Sequence, residues 1–296
     1  MTVAIVGASG FVGQNLLRYI LANTDYSVRA ICRSPQNIQF DRQYTERVQL
    51  VPADVFDYDT IKKSLEGTDA AVYLIHMMAA KGNYYDLETK AAETFGKAGQ
   101  AANLPRVVYM SGLGNDADKL SKHLQSRHHT GTILKSYVPL VIEFRASMIV
   151  GDGSIAYDIM KSLVKNLPVQ TMPAWATTKT QPIALQDALQ YLAAGLVVPL
   201  QKHEIVEIGG PEQLSYKDLV SRYAAFRGKK PILILVPVVP LWLGAWWLNL
   251  FTPPDHAKVG RSMAESLMNP MVVTNNRSSE LFPNIHPEPI ETAFSK

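Results

Sequence analysis

The chain has 296 residues, of which 47% are hydrophobic and 19% are charged, as in an ordinary globular protein with a substantial buried core. A formal net charge of +3 spread along the sequence excludes nucleic acid as the expected partner. Cys32 is the single cysteine, which excludes an internal disulfide and a Cys-x-x-Cys metal site. We therefore expect a cytoplasmic protein, and the short apolar start predicts no signal peptide.

The first predicted strand, Thr2–Val6, runs into a glycine-rich turn and then a helix, the order found in dinucleotide-binding folds. Gly7 permits the tight turn, Gly10 lets the backbone approach a pyrophosphate, and Gly13 lets the helix pack closely on the strand. The helix N-terminus then binds the phosphates. The predicted cofactor-binding residues here are Gly7, Ser9, Gly10, Phe11, Val12 and Gly13.

The second predicted strand, Val28–Cys32, ends at the position that distinguishes NAD from NADP. An acidic residue there binds the ribose hydroxyls of NAD, whereas an arginine accommodates the extra phosphate of NADP. Arg33 follows the strand, and Ser34 adds a second donor. A solvated surface arginine is the alternative, but the position favours NADP(H) as cofactor over NAD.

Strands at Val48–Val51 and Ala70–Ile75 place further residues beside the cofactor. Asp54 and Val55 follow the third strand, where Asp54 either accepts from the adenine amine or forms a turn. Leu74 and Ile75 end the fourth strand and are predicted to pass the phosphate–ribose region. His76 joins this predicted cofactor set, although a hydrogen-bonded loop histidine is favoured over an acid or base.

The remaining elements continue the alternation that is typical of a doubly wound parallel sheet. The predicted strands are 106–110, 140–150 and 203–208, and the predicted helices are 84–102, 116–137, 154–166, 186–197 and 216–226. Ser215 is the expected N-cap of the last helix, with Asp218 at its third position. We expect a Rossmann domain over 1–150. Residues 151–296 are predicted to complete the sheet and to form a small C-terminal α/β substrate lobe.

The segment 231–254 is apolar and carries three tryptophans, but prolines interrupt its first half. A buried or interfacial helix that begins near Pro240 and lines a pocket is favoured over a membrane span. Peripheral membrane contact through 240–251 remains the alternative.

Several motifs together resemble the atypical, extended-type short-chain dehydrogenase/reductases, a group that includes NmrA-like NADP-sensing regulators and bacterial proteins described as nucleoside-diphosphate-sugar epimerases. The resemblance extends over nearly the whole chain and implies a Rossmann domain with a small substrate lobe. The motifs are Gly7–Gly13, Val72–His76, Tyr109–Gly114, His123–Arg127, Thr180–Asp187 and Glu207–Glu212.

The catalytic set implied by this family is a Ser, a Tyr and a Lys, and here the sequence departs from it. Ser111 fits the Ser position, but His123 stands where Tyr is expected and Arg127 where Lys is expected. His123 remains chemically able to act as an acid or base, and Arg127 could hold ribose hydroxyls. A helix that has lost its catalytic role is the equal alternative. No metal is expected, because the neighbouring histidines lack companion ligands.

Three functions follow from these observations. The first is an NADP-dependent oxidoreductase acting on a small apolar carbonyl or quinone-like substrate. The second is a non-catalytic NADP(H)-binding redox sensor or partner protein, which the missing Tyr and Lys favour. A nucleotide-sugar epimerase is the weakest, because epimerisation needs a well-placed proton shuttle.

Overall fold

A computed structural model describes residues 1–78, 80, 82–236 and 265–294. The strands are β1 (Thr2–Val6), β2 (Ser27–Cys32), β3 (Val48–Pro52), β4 (Ala70–Tyr73), β5 (Arg106–Gly112), β6 (Leu140–Ala146), β7 (Ile149–Val150), β8 (Val169–Pro173), β9 (Lys179–Thr180), β10 (Ile183–Ala184), β11 (Glu204–Ile208), β12 (Leu214–Ser215) and β13 (Ile232–Val236). The α-helices are α1 (Phe11–Asn23), α2 (Tyr58–Leu65), α3 (Tyr84–Ala101), α4 (Lys122–Tyr137), α5 (Ile155–Asn166), α6 (Leu185–Gly195), α7 (Tyr216–Phe226) and α8 (Arg277–Leu281).

Seven parallel strands form the central sheet in the order β11-β6-β5-β4-β1-β2-β3. The chain leaves β1 toward β2 and β3, then returns to place β4 on the other side of β1. This reversal is the topological switch point at which α/β sheets bind ligands, outside the carboxyl ends of the strands. The predicted Rossmann-type fold is confirmed.

The two faces of β1 are buried in different core layers, because successive side chains of a strand point in opposite directions. Val3 and Ile5 pack with the apolar side of α1. Ala4 and Val6 pack with Phe95 of α3 in the other layer. Burial on both faces explains why these strands read as unbroken apolar runs in the sequence.

The second half of the chain contributes to the main sheet and also forms a separate small lobe. Strand β11 pairs with β6 at the edge of the sheet. The pairs β10–β7, β12–β9 and β13–β8 form three two-stranded sheets, and α5 and α7 enclose their own apolar cluster. Strand β11 thus extends the main sheet, while the substrate lobe and a domain boundary at residue 150 stay predictions.

Most element bounds agree with the sequence predictions, and the differences have local causes. The helix predicted over 116–137 begins only at Lys122, because Ser121 caps it by accepting from the Leu124 N–H. The strand predicted over 140–150 is divided into β6 and β7 at Ser147, whose hydroxyl donates to the Gln181 carbonyl. The capping box predicted at Ser215 is present. The helix predicted near Pro240 lies outside the described residues.

Candidate functional site: the cleft at the switch point

A cleft of about 670 Å³ opens at the carboxyl ends of β1, β2 and β4. It brings together nearly all of the predicted cofactor-binding residues, which come from four separate segments of sequence. The lining includes Gly7, Ser9, Gly10, Phe11, Val12, Gly13, Arg33, Asp54, Val55, Leu74, Ile75 and His76. Ser34 is the predicted residue that does not line it. We call this space the cofactor cleft.

The glycine turn forms a cradle that leaves no room for side chains. Gly7 adopts φ of +93°, a conformation that residues with a Cβ rarely take. A Cβ on Gly13 would lie 2.4 Å from the Gly7 carbonyl oxygen, so α1 packs directly on the turn. Gly10 caps α1 without a side-chain acceptor, which leaves the first N–H groups of the helix for an anion. These features fit a dinucleotide pyrophosphate.

Two glycine variants should separate folding from cofactor binding. Gly13→Ala pushes α1 away from the backbone of the glycine turn and should destabilise the protein by about 1–3 kcal/mol. Gly10→Ala places its Cβ at 3.3 Å from the Gly7 carbonyl oxygen, a much milder contact. It should keep the melting temperature while weakening NADPH binding, because the methyl group occupies the phosphate cradle. Thermal melts and NADPH titrations check both, and equal behaviour of the two variants would contradict this assignment.

Arg33 and Asp54 line the part of the cleft beyond β2 and β3. Arg33 is exposed, and within the described residues its guanidinium has no ion pair or hydrogen bond. It is therefore available to an incoming phosphate. One carboxylate oxygen of Asp54 accepts from the Phe56 N–H at 3.0 Å, so Asp54 forms the turn that the sequence offered as an alternative. Its second oxygen remains available to a ligand.

A pair of histidines from different elements meets in the cofactor cleft. His76, just after β4, and His123, in the first turn of α4, both line it. Their Nε2 atoms are 3.0 Å apart, which is hydrogen-bonding distance. Nδ1 of His123 lies 3.1 Å from Oγ of Ser266, and that hydroxyl lies 2.8 Å from Oγ of Ser121. The four side chains form one continuous hydrogen-bonded chain.

Both imidazoles are neutral at physiological pH. Burial in the cleft is the main cause that lowers the pKa of His76 and His123 to about 3 each, and the positive charge of Arg127 adds to it. His76 also lowers the pKa of His123, because two adjacent cations repel each other. A neutral imidazole donates from one ring nitrogen and accepts at the other. The pair can therefore pass a proton along the chain without holding a charge.

These shifted pKa values predict acid sensitivity of the fold. The unfolded chain takes up protons below about pH 6.5, whereas the folded histidines stay neutral to about pH 3. Stability should be constant above that window and fall as the pH drops through it, by at most about 1.4 kcal/mol per pH unit for each histidine. The His76 side chain is 37% exposed, and solvent screening reduces its share.

Urea unfolding at several pH values measures this effect. The variant His123→Gln should unfold with a shallower pH dependence than the wild type below pH 6.5, because one protonation difference has been removed. Identical slopes would show that His123 titrates normally in the folded protein.

Arg127 braces the floor of the cleft beneath the histidines. Its guanidinium donates to the Ile75 carbonyl at 2.9 Å and to the Met110 carbonyl, and it lies over the Tyr109 ring. Glu88 of α3 lies 3.9 Å away and accepts from the Met77 N–H at 2.9 Å. This buried pair joins the ends of β4 and β5 to α3 and α4. Arg127 lines the cleft, but its donors serve the framework.

Ser111 lies apart from the histidine pair. It is buried in β5 and does not line the cofactor cleft, and its hydroxyl has no partner within the described residues. Beyond it, His128 bonds to Asp116 and to the Gly112 carbonyl, and Asp116 also pairs with Arg145. No cluster of three potential metal ligands occurs in the part of the chain that the structure describes.

The sequence analysis did not identify Ser266 or Glu88, two residues that support the site. Ser266 bonds to His123, and Glu88 lies beside Arg127. Ser266 follows His123 by more than a hundred residues and belongs to no motif. Glu88 gives a faint signal, a carboxylate on the inner side of a predicted helix, but only the fold shows that it accepts from Met77 and from Ser126.

Comparisons with known proteins agree with this geometry. Residues 7–143 match the model of a family described as NAD(P)H-binding. No curated protein matches the chain by sequence.

Several solved structures share the fold along almost the whole chain. A nucleoside-diphosphate-sugar epimerase from Staphylococcus aureus is 14% identical, with 100% of each chain covered and a TM-score of 0.75. Triphenylmethane reductase from Citrobacter sp., complexed with NADP(H), is 12% identical, with 99% of each chain covered and a TM-score of 0.76. An NADPH-dependent quinone oxidoreductase from Escherichia coli, complexed with NADPH, is 16% identical over 99% of this chain and 98% of that one, with a TM-score of 0.72.

Proposed function

We propose that this protein is an NADP(H)-dependent reductase of a quinone-like or other small apolar acceptor, because residues 7–143 match the model of an NAD(P)H-binding family and the whole chain shares its fold with NADP(H)-complexed reductases. The observation that carries the proposal is the neutral His76–His123 pair inside the cofactor cleft. His123 stands where the family it resembles carries Tyr, and Nδ1 of His76, with a long contact of 3.5 Å to the Met78 N–H, is the ring nitrogen that the pair can offer to a ligand.

Different residues around the cleft bind different parts of the cofactor. The N-terminus of α1 binds the pyrophosphate, and Gly7, Gly10 and Gly13 give it access. Arg33 binds the ribose phosphate that distinguishes NADP from NAD. Val55 and the free oxygen of Asp54 contact the adenine, and Leu74, Ile75 and His76 contact the phosphate–ribose region. When bound, NADPH supplies the hydride.

The histidine pair supplies a hydrogen bond, and then a proton, to the oxygen that becomes negative when hydride reaches the acceptor. Nδ1 of His76, which lies 3.5 Å from the Met78 N–H, is the nitrogen that donates to that oxygen, because the other three ring nitrogens of the pair are engaged in the chain. As its proton leaves, Nε2 of His76 receives the proton of His123 Nε2, and Nδ1 of His123 receives that of Ser266. Ser266 is reprotonated by Ser121, and Ser121 by solvent. The transfer leaves no imidazolium behind, which is consistent with two pKa values near 3.

This chemistry favours acceptors that take hydride before they need a proton. A reduced quinone is a stabilised oxyanion, so a neutral donor in a low-dielectric site suffices to bind it. An isolated ketone gives a basic alkoxide and requires a stronger acid in the transition state. Epimerisation needs a base on the substrate as well, and imidazoles with lowered pKa are weak bases. Quinone-like acceptors therefore suit this site better than simple ketones do, and reduction suits it better than epimerisation.

A redox sensor that binds NADP(H) without turnover is the second candidate. Two of the three predicted catalytic residues support it, since Ser111 does not reach the cleft and Arg127 donates to backbone carbonyls. Both candidates predict NADPH binding, so only turnover distinguishes them.

The test is NADPH oxidation, followed by absorbance, with a panel of quinones, aldehydes and ketones. We expect turnover with quinones that exceeds turnover with simple ketones. Tight NADPH binding without turnover across the panel would establish the sensor instead, and absence of NADPH binding would overturn both candidates.

A further inference from the structure

The ribbon formed by β8 and β13 exposes apolar side chains that do not line the cofactor cleft. Ile232 is 62% exposed, Ile234 47% and Val169 45%. Ile232 is paired with Val169 and Ile234 with Thr171, so these side chains share one face of the ribbon. On the other face Gln170 is buried and its partner Leu233 is half-buried, while Leu235, farther along the same strand, is 40% exposed. An uncovered apolar face on a two-stranded ribbon indicates an interaction surface.

Cations surround the end at which both strands begin. Lys165, Arg227, Lys229 and Lys230 are all exposed there. The Lys229 ammonium donates to the Lys165 carbonyl at 2.7 Å, which joins the end of α5 to the chain entering β13. The four cations have no carboxylate within ion-pair distance among the described residues.

The carboxylates that lie nearby do not balance the four cations. Asp152 and Asp158 share the one ammonium of Lys161, at 2.7 and 2.8 Å, so this group carries a net charge of only −1.

Cations near helix C-termini are common because they satisfy the helix dipole. That explanation accounts for Lys165 and Lys229 at the end of α5, where the Lys229 ammonium donates to the last carbonyls, and for Arg227 at the end of α7. It does not account for Lys230, which precedes Pro231 and the exposed Ile232.

The sequence continues this pattern beyond the ribbon. From Pro231 to Phe251 there is no Asp, Glu, Lys or Arg, and the run includes Trp242, Trp246 and Trp247. Basic residues followed by apolar and tryptophan-rich sequence are typical of segments at a membrane surface. The sequence alone favoured a pocket wall for this region. Residues 231–236 do not line the cofactor cleft, however, so that interpretation gains no support from the described part.

We propose that the β8–β13 patch, defined by Lys165, Val169, Arg227, Lys229, Lys230, Ile232 and Ile234, docks on the surface of an anionic lipid bilayer. The cations contact lipid phosphates, and the isoleucines enter the boundary between headgroups and acyl chains. The docking is peripheral, and no helix in the described ranges is long and apolar enough to span a membrane. This inference does not depend on the proposed reductase activity.

Co-sedimentation of the full chain with vesicles tests the proposal. We expect binding to mixed phosphatidylglycerol–phosphatidylcholine vesicles, little binding to phosphatidylcholine alone, and loss of binding at high salt. The double variant Lys165→Ala/Lys230→Ala should bind anionic vesicles about 25-fold more weakly, at about fivefold for each cation removed. The matched control Lys62→Ala/Lys63→Ala removes two lysines from α2 and should bind as the wild type does.

A second variant separates lipid docking from self-association. Ile232→Ser/Ile234→Ser should also weaken vesicle binding, and its NADPH affinity should remain that of the wild type, which shows that it folds. Absence of binding to anionic vesicles, or equal losses in the two lysine pairs, would overturn the proposal. Dimers that form without vesicles and disappear in the isoleucine variant would assign the patch to a second copy of this chain.

Discussion

His123→Gln is expected to lower kcat/KM for quinone reduction by about 10²–10³-fold, the loss typical when one donor to a developing oxyanion is removed. Glutamine keeps the size of the side chain and a hydrogen bond with His76. An amide does not receive a proton on one atom while releasing another, so the chain through Ser266 is cut. NADPH affinity should stay at the wild-type value, because the glycine turn and Arg33 are untouched.

Four further variants make this result specific. His129→Gln is the matched control, since His129 stacks on Tyr85 and does not line the cofactor cleft. It should keep full activity. His76→Gln and the double variant should lose about as much as His123→Gln alone, because residues that act as one unit are not additive. Ser266→Ala should lose less, since the histidine pair remains intact.

The pH dependence provides two readouts, one from the imidazoles themselves and one from turnover. Imidazole nitrogen resonances of His76 and His123 should report neutral rings through the whole neutral range, with protonation only near pH 3. The kcat/KM profile should accordingly be flat around neutrality. An inflection near the ordinary histidine pKa of about 6.5, or full activity in His123→Gln, would remove the pair from the mechanism.

The fold was predictable because its signals are local. The apolar runs at β1 and β4 reflect burial of these strands on both faces, and the three glycines of the turn fall within seven residues of sequence. Predicted bounds were wrong where a side-chain hydrogen bond begins or ends an element, as at Ser121, whose cap begins α4 six residues later than the periodicity suggested.

The cofactor-binding residues could be predicted for the same reason, but the hydrogen-bonded histidine chain could not. Arg33, Asp54 and Leu74 each follow a strand, so the parallel sheet brings them to one edge. The favoured interpretation of His76 was a hydrogen-bonded loop residue, and the structure does show a partner. That partner is His123, from another element, and this pairing converts two ordinary histidines into one unit. Ser266 adds a contact to His123 that no spacing in the sequence predicts.

Arg33→Ala should weaken NADPH binding by about 10–100-fold and leave NADH binding nearly unchanged. The guanidinium is exposed at the cleft and free of ion pairs within the described residues. Binding of a phosphate therefore breaks no existing ion pair of this side chain. A charge-assisted hydrogen bond contributes about 1.5–3 kcal/mol, which sets the expected loss. Arg42→Ala is the control, because Arg42 is equally exposed and does not line the cleft.

Two replacements at the same position show whether charge or geometry is recognised. Arg33→Lys keeps the charge but loses the planar pair of donors, so its NADPH affinity should fall between those of the wild type and the alanine variant. Arg33→Asp should repel the ribose phosphate and accept from the ribose hydroxyls of NADH, which reverses the preference. The NADPH losses should shrink at high salt, since the interaction is exposed to screening. If all three variants bound NADPH as the wild type does, the phosphate would lie elsewhere in the cleft and the assignment of NADP over NAD would lose its basis.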